Sequence, residues 1–571
     1  MWKISTALLT LFFLSLPSVS LAEESDDEKS YWGRYDNGSW ALTTVTDKPA
    51  NFTFGWELPE ANATKEAFEA ERFNKDTLSP VNNSSVNFIT QYGYSGNNSF
   101  YTHITESDSQ IIYGRTTSTI LIGSELLSPS EGKNNLCILA KANIQHEITW
   151  VKKLYEDKSN CWISGVASNQ SEEIIVVGDY TNDQSKVIGF LKKFDSSGNL
   201  IFSKTYEGSG DTYVNRVKTS SNSELIFNVR YRGNIVIDGK EYSSRQKQIY
   251  SDLLIKTDNA GNTLWINNIS STGDSYFSFD VNSNDEIVVG GRIHGSLYIN
   301  SYRAYMYNSS NYGSKWQSTL LAKFDSNGDL IWTKEVYGST ANYINELAID
   351  SENNIVFVLY HTGDATIDGA TLSKRDNKNC VQIGVTKKRN CSSYFIFGSY
   401  SMVKLDTNGK LLWLQEQQRT NGMQFKGQLN FDQDNNIYFM QEDMAESYYS
   451  LFNQSKFSEI TYGGLDYIGD DYVDGKVVNP KYEYTFKMSL VKIDKHGNFV
   501  MKHTINGSQT FQTWATLNEY SGFISDISIS PTGRIFTAIK GFGDFEFGGI
   551  SKSVEAEVFE GNTYIFEIRN N

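Results

Sequence analysis

Proline and cysteine are scarce in this sequence, with 7 Pro and 4 Cys among 571 residues, and histidine numbers only 6. Basic residues (51) fall short of acidic ones (67), leaving a net charge of −16. Each shortage excludes something. So few cysteines cannot build the dense disulfide framework of small secreted domains, and no Cys-x-x-Cys or Cys/His spacing suggests a zinc site. The acidic balance argues against nucleic acid or an anionic membrane as the main partner. No apolar run after the N-terminus is long enough for a transmembrane helix. The motifs Gly-x-Ser-x-Gly and His-Glu-x-x-His and the phosphate-binding loop are all missing, so no catalytic signature is present and no cofactor is predicted.

What is abundant points to strands and turns. There are 44 Gly residues and an aromatic content of 14%, while charged residues make up only 21%. This composition belongs to a folded chain of many short strands joined by turns. At the N-terminus, Lys3, the apolar stretch from Ala7 to Leu16 and the small-residue site Ser20-Leu21-Ala22 read as a signal peptide over 1–22. The mature protein is therefore expected to be secreted or periplasmic and monomeric. Cys380 and Cys391 lie close together in a polar stretch and form the disulfide candidate, whereas Cys137 and Cys161 could pair or stay free.

Internal repetition decides the architecture. A segment such as LAKFDSNGDLIW, ending at Trp332, occurs six times, with its lysine at Lys141, Lys193, Lys256, Lys323, Lys404 and Lys492. Five of the six copies place Asp two residues on and Gly five residues on, which describes a hairpin whose Gly takes positive φ; the first copy has Asn143 and His146 instead. A second hairpin, such as FDVNSNDEIVVG from Phe279, occurs seven times. The seventh, from Ile527, is followed only by the strand YIFEIRNN, and its missing partner resembles VNFITQYGY from Val86. The chain is thus predicted to be all-β, a seven-bladed β-propeller over 86–571 with one blade closed by strands from both termini. An aromatic-rich extension over 23–85, carrying Trp32, Trp40 and Trp56, precedes the ring.

The Lys-x-Asp-x-x-Gly-Asn-x-x-Trp hairpin resembles the bacterial secreted β-propeller repeat family, SBBP. That resemblance covers most of the mature chain and implies a seven-bladed ring and export. It brings no shared catalytic mechanism.

Both tight hairpin turns of each blade fall at one end of the ring, and the long connections fall at the other, over 301–318, 372–399, 443–486 and 549–563. Such one-sided elaboration of a rigid scaffold suits recognition loops. Tyr312 and Trp316 in the first of them could stack on sugar or anchor a protein, although packing over the blade tops would also explain them. The group Asp466, Asp470, Asp471 and Asp474 could hold calcium but lacks EF-hand spacing, and a solvated acidic loop explains it more simply. Strand alignment puts Arg115, Arg230, Arg292, Tyr360 and Lys540 at equivalent places near the long connections. The four cations among them could ring an anionic ligand or pair with neighbouring carboxylates. Phe100, Tyr213, Tyr276, Tyr343 and Phe425 recur just before them in the blades, as channel-mouth or packing residues. The expected function is a non-catalytic exported scaffold recognising a glycan or protein through the elaborated face. Its rival is a lyase or hydrolase of acidic polysaccharide that grips carboxylates with the three arginines.

Overall fold

A computed structural model of the chain describes the ring strands and short turns between Ser84 and Asn570 and a small N-terminal sheet. Residues 1–29, 58–83, 306–316, 373–398, 417–422, 444–464, 512–524 and 555–561, with several shorter stretches, lie outside the described residues. Two compact units are present, Met1–Ser79 and Pro80–Asn571. In the first, Ser30–Tyr35 is the central strand of an antiparallel sheet between Trp40–Thr44 and Phe52–Glu57, with Trp32 opposite Trp56.

The second unit is a seven-bladed β-propeller, and no helix occurs among its described residues. Blade two shows the plan: Ser159–Ser168, Ile174–Thr181, Val187–Phe194 and Leu200–Tyr206 form one antiparallel sheet in chain order, from the axis outward. Its second strand reads as a continuous apolar run because neighbouring blades cover both of its faces. Ile174, Ile175, Val176 and Val177 are all fully buried. The outermost strand instead exposes Leu200 and Ile201 and buries only Tyr206. Apolar cores therefore lie between blades rather than within them: Ile175, Val177 and Leu191 of blade two pack with Val214, Val217 and Phe227 of blade three.

Blade seven is closed as the repeat arithmetic requires. Ser525–Ile529, Ile535–Gly541 and Asn562–Asn570 supply its three inner strands and Ser84–Tyr92 the outermost. Val86 is paired with Ile568, and the Phe100 amide of blade one donates to Thr563 Oγ1 at 3.1 Å.

The repeated hairpin turns out to be an inter-blade latch. Each Asp folds its own turn: Asp325 Oδ1 accepts the amides of Asn327 and Asp329 at 2.9 and 2.8 Å. The turn Gly, with φ +85 at Gly328, leaves room for the Trp of the preceding blade, since a Cβ there would lie 2.8 Å from Trp265 Cδ2. Trp265 Nε1 donates to the Ser326 carbonyl of that same turn at 3.1 Å. The lysine works in both directions. Lys256 meets Glu224 of its own blade at 2.6 Å and donates to the Ser326 carbonyl of blade four at 3.0 Å. Lys193 and Lys323 repeat this with Glu173 and Asn259 and with Glu286 and Thr407. The motif thus holds neighbouring blades together at the plain end of the ring.

At the other end, part of each long connection is structural. The hairpin Leu297–Ile299 and Tyr302–Tyr305, inserted in blade four, pairs with the outer strand of blade three through Ile269 and Ile299. Those in blades five and seven likewise extend blades four and six. The elaborated face expected to present recognition loops therefore also straps blades four, five and seven to their predecessors and covers edges that would otherwise stand open. Tyr312, Trp316, the Cys380–Cys391 candidate and the side chains of the blade-six aspartates lie outside the described residues. Among the described residues a disulfide joins Cys137 of blade one to Cys161 of blade two, with Cα atoms 5.6 Å apart.

Candidate functional site

Strand register places one residue of every second strand at the rim of the elaborated face. Arg115, Arg230 and Arg292 take that place in blades one, three and four, and Tyr360 takes it in blade five. Lys540 has the same backbone position in blade seven, but its side chain lies outside the described ones. Opposite Arg230, Arg292 and Tyr360 on the innermost strands stand Tyr213, Tyr276 and Tyr343. In blade two the opposed pair is Trp162 and Asp179.

Each rim arginine reaches forward to the aromatic of the next blade. The Arg115 guanidinium carbon lies 4.1 Å from the Trp162 ring centroid, Arg230 lies 5.8 Å from Tyr276, and Arg292 lies 6.0 Å from Tyr343. Arg230 also lies 4.8 Å from the ring of Tyr250 and donates to the Ser275 carbonyl. Tyr343 stacks on Tyr360 at 4.7 Å, and Tyr360 meets Tyr400 edge-on at 5.1 Å. The reading in which these cations pair with neighbouring carboxylates does not hold for two of them: among the described residues Arg115 and Arg292 make no ion pair, and Arg292 Nε is buried without a hydrogen-bond partner. A guanidinium over an aromatic ring, as Arg115 is over Trp162, can keep in-plane N–H groups for a carboxylate or sulfate.

The aromatic series divides by register. Tyr276 is 48% exposed, and Tyr213 and Tyr343 are half-buried at the rim. Phe100 and Phe425 pair with Gly114 and Gln441, one step away from the rim position, and that step turns them into the core, where both are buried. Sequence reasoning missed Trp162, Tyr250 and Asp179. It located the rim by counting back from a Gly or Ser after the second strand, and the tight Asn182–Lys186 turn of blade two offers no such marker. Aligning IIVVGDYT of blade two directly with QIIYGRT of blade one would have found Asp179.

Below the rim the innermost strands carry a charged floor. Arg216 of blade three donates to Ser278 Oγ and the Phe279 carbonyl of blade four and pairs with Glu346 of blade five. Lys218 meets Asp280 at 2.8 Å. Asp526 of blade seven is hydrogen-bonded to the Tyr113 hydroxyl; burial pushes its carboxyl up to about 7, against the pull of its backbone and Tyr113 hydrogen bonds. His103 faces Ser168 Oγ at 3.0 Å and is pushed down to about 4 by burial and by Lys218. These groups are satisfied by one another across blades, so the floor ties the ring together beneath the rim. Among the described residues no cluster of His, Cys, Asp or Glu is arranged to hold a metal.

No family model matches the sequence, and no curated protein matches it. Solved structures resemble it in fold. A polysaccharide lyase, an ulvan lyase, aligns with 82% of this chain and 97% of its own at 10% identity and a TM-score of 0.39. A protein of unknown function from Dyadobacter fermentans aligns with 72% of this chain and 95% of its own, at 9% identity and 0.32. The phage phi92 endosialidase aligns with 86% and 69%, at 8% and 0.32. At these values none of the likenesses bears on what this chain binds.

Proposed function

We propose that this protein is an exported glycan-binding propeller that takes an acidic saccharide at the rim of its elaborated face. The observation that carries the reading is the alternation of guanidinium and aromatic ring on neighbouring blades, with Arg115 and Arg292 in no ion pair among the described residues. Sugar rings offer an apolar face to Trp and Tyr and an acidic substituent to Arg, so both halves of the rim find a partner in one ligand. Export is supported by the apolar N-terminal segment and by the Cys137–Cys161 disulfide, a bond that persists in oxidising compartments. No helix among the described residues is long and apolar enough to cross a membrane.

Calorimetric titration of the purified protein with oligogalacturonate and with a neutral oligosaccharide of equal length tests the reading. Binding of the acidic oligomer alone is expected, weakening as salt rises. Equal affinity for the neutral oligomer would refute it, and shortening of the acidic oligomer during titration would move the conclusion to an enzyme of the same specificity.

A further inference from the structure

By backbone register Glu442 takes the rim place in blade six, and Asp179 takes it in blade two. Asp179 holds the place that Arg115, Arg230 and Arg292 hold in their blades, opposite Trp162 on one side and Gly189 on the other. Arg115 lies over that same Trp162 and acts on Asp179 electrostatically, yet the two form no ion pair. Among the described residues, no side chain or backbone donor is hydrogen-bonded to the Asp179 carboxylate. Tyr213 of blade three is close enough to feel its charge, but the Tyr213 hydroxyl is hydrogen-bonded to Tyr250. Burial pushes the Asp179 carboxyl up to about 7, with Arg115 pulling the other way.

A half-buried carboxylate with no donor from the protein is satisfied by water in the free protein, and a ligand that displaces that water must supply hydrogen bonds in its place. An acidic substituent cannot supply them. A sugar hydroxyl can, and a ring seated beside Arg115 brings hydroxyls within the same residue as its carboxylate. Resting on the acidic-glycan reading above, we infer that Asp179 is the hydroxyl-reading residue of the rim and selects a uronate, whose carboxylates alternate with free hydroxyls, over a densely sulfated chain. Arg115 and Asp179 then read the two kinds of substituent from adjacent blades. The carboxylate repels a polymer that is anionic at every position, while the arginines alone would favour one.

The two functions predict changes of opposite sign. Titration of the full-length protein with oligogalacturonate and with dextran sulfate, before and after Asp179→Asn, is expected to show about ten-fold weaker uronate binding, as for loss of one charge-assisted hydrogen bond, and several-fold tighter binding of dextran sulfate. Asp179→Ser, which withdraws the side chain, is expected to move both affinities the same way as Asn. A purely structural role would weaken both ligands in parallel, and that result, or no change in either, overturns the inference while leaving the acidic-glycan reading intact. Failure of the unsubstituted protein to bind either polymer removes both.

Discussion

Lys404 Nζ lies 2.8 Å from Asp350 Oδ2, with the two side chains 3% and 0% exposed. Lys404 also donates to the Lys495 carbonyl in the turn of blade six, while Asp350 accepts the amides of Glu352 and Asn354 in its own turn. One buried pair therefore shapes a turn and crosses a blade interface. Breaking it from one side strands a charge. Lys404→Met is expected to lower stability by about 3–5 kcal/mol in urea denaturation, and the double variant with Asp350→Asn to lose much less than the sum of the two single changes. Additive losses would show that the pair is not a unit.

The turn glycines separate conformational cost from steric cost. Gly328 and Gly533 share nearly the same φ, +85 and +83, but a Cβ at Gly328 meets Trp265 at 2.8 Å whereas one at Gly533 meets nothing within 4 Å. Gly533→Ala should cost about 1 kcal/mol, the price of a left-handed Ala. Gly328→Ala should cost a further 1–3 kcal/mol for displacing the indole. Equal melting temperatures for the two variants would contradict the latch.

At the rim, Arg292→Lys is expected to be nearly as damaging as Arg292→Ala, each weakening acidic-oligosaccharide binding by about ten-fold, because an ammonium beside Tyr343 offers no forked contact to a carboxylate. Arg115→Ala should do the same and also alter Trp162 fluorescence. Full retention of affinity in the Lys variant would mean that charge alone matters there.

The floor makes stability depend on pH. The folded-state value of Asp526, about 7, lies above its ordinary 3.8, so the folded protein holds a proton that the unfolded chain has released between those values. Stability contributed by the protonated form is complete below pH 4 and is lost as pH rises toward and through 7. Asp526→Asn is expected to be the more stable protein above pH 7, by a margin on the order of 4 kcal/mol at most, and to lose that advantage near pH 4. Urea midpoints across this range check it, and a constant difference would exclude Asp526 as the titrating group.

Fold and site differed in how far they could be read from sequence. The ring was legible because Lys323, Asp325, Gly328 and Trp332 recur at fixed spacing, and the unmatched strands at Val86 and Tyr564 closed the count. What the motif is for was not legible: that Trp265 packs on Gly328 of the next blade is a relation between copies that spacing within one copy cannot show. Arg115, Arg230 and Arg292 were found because their strands align. Tyr250 was not, since it reaches the rim from a connection rather than a strand. Phe100 and Tyr276 looked equivalent in sequence, and only the pairing with Gly114 or Arg292 separates core from rim.

The closing blade also fixes an order of events. Among the described residues Ser84–Tyr92 pairs only with Asn562–Asn570, and the Phe100 amide finds Thr563 across a separation of 463 residues. While the chain is being made, the first strand of the ring has no partner until nearly everything else exists. Six blades can assemble in succession from local hairpins, but the seam waits for the slowest loop closure in the molecule. Until then the nascent protein is an open arc with two bare strand edges, the form in which it is most prone to pair with another copy of itself.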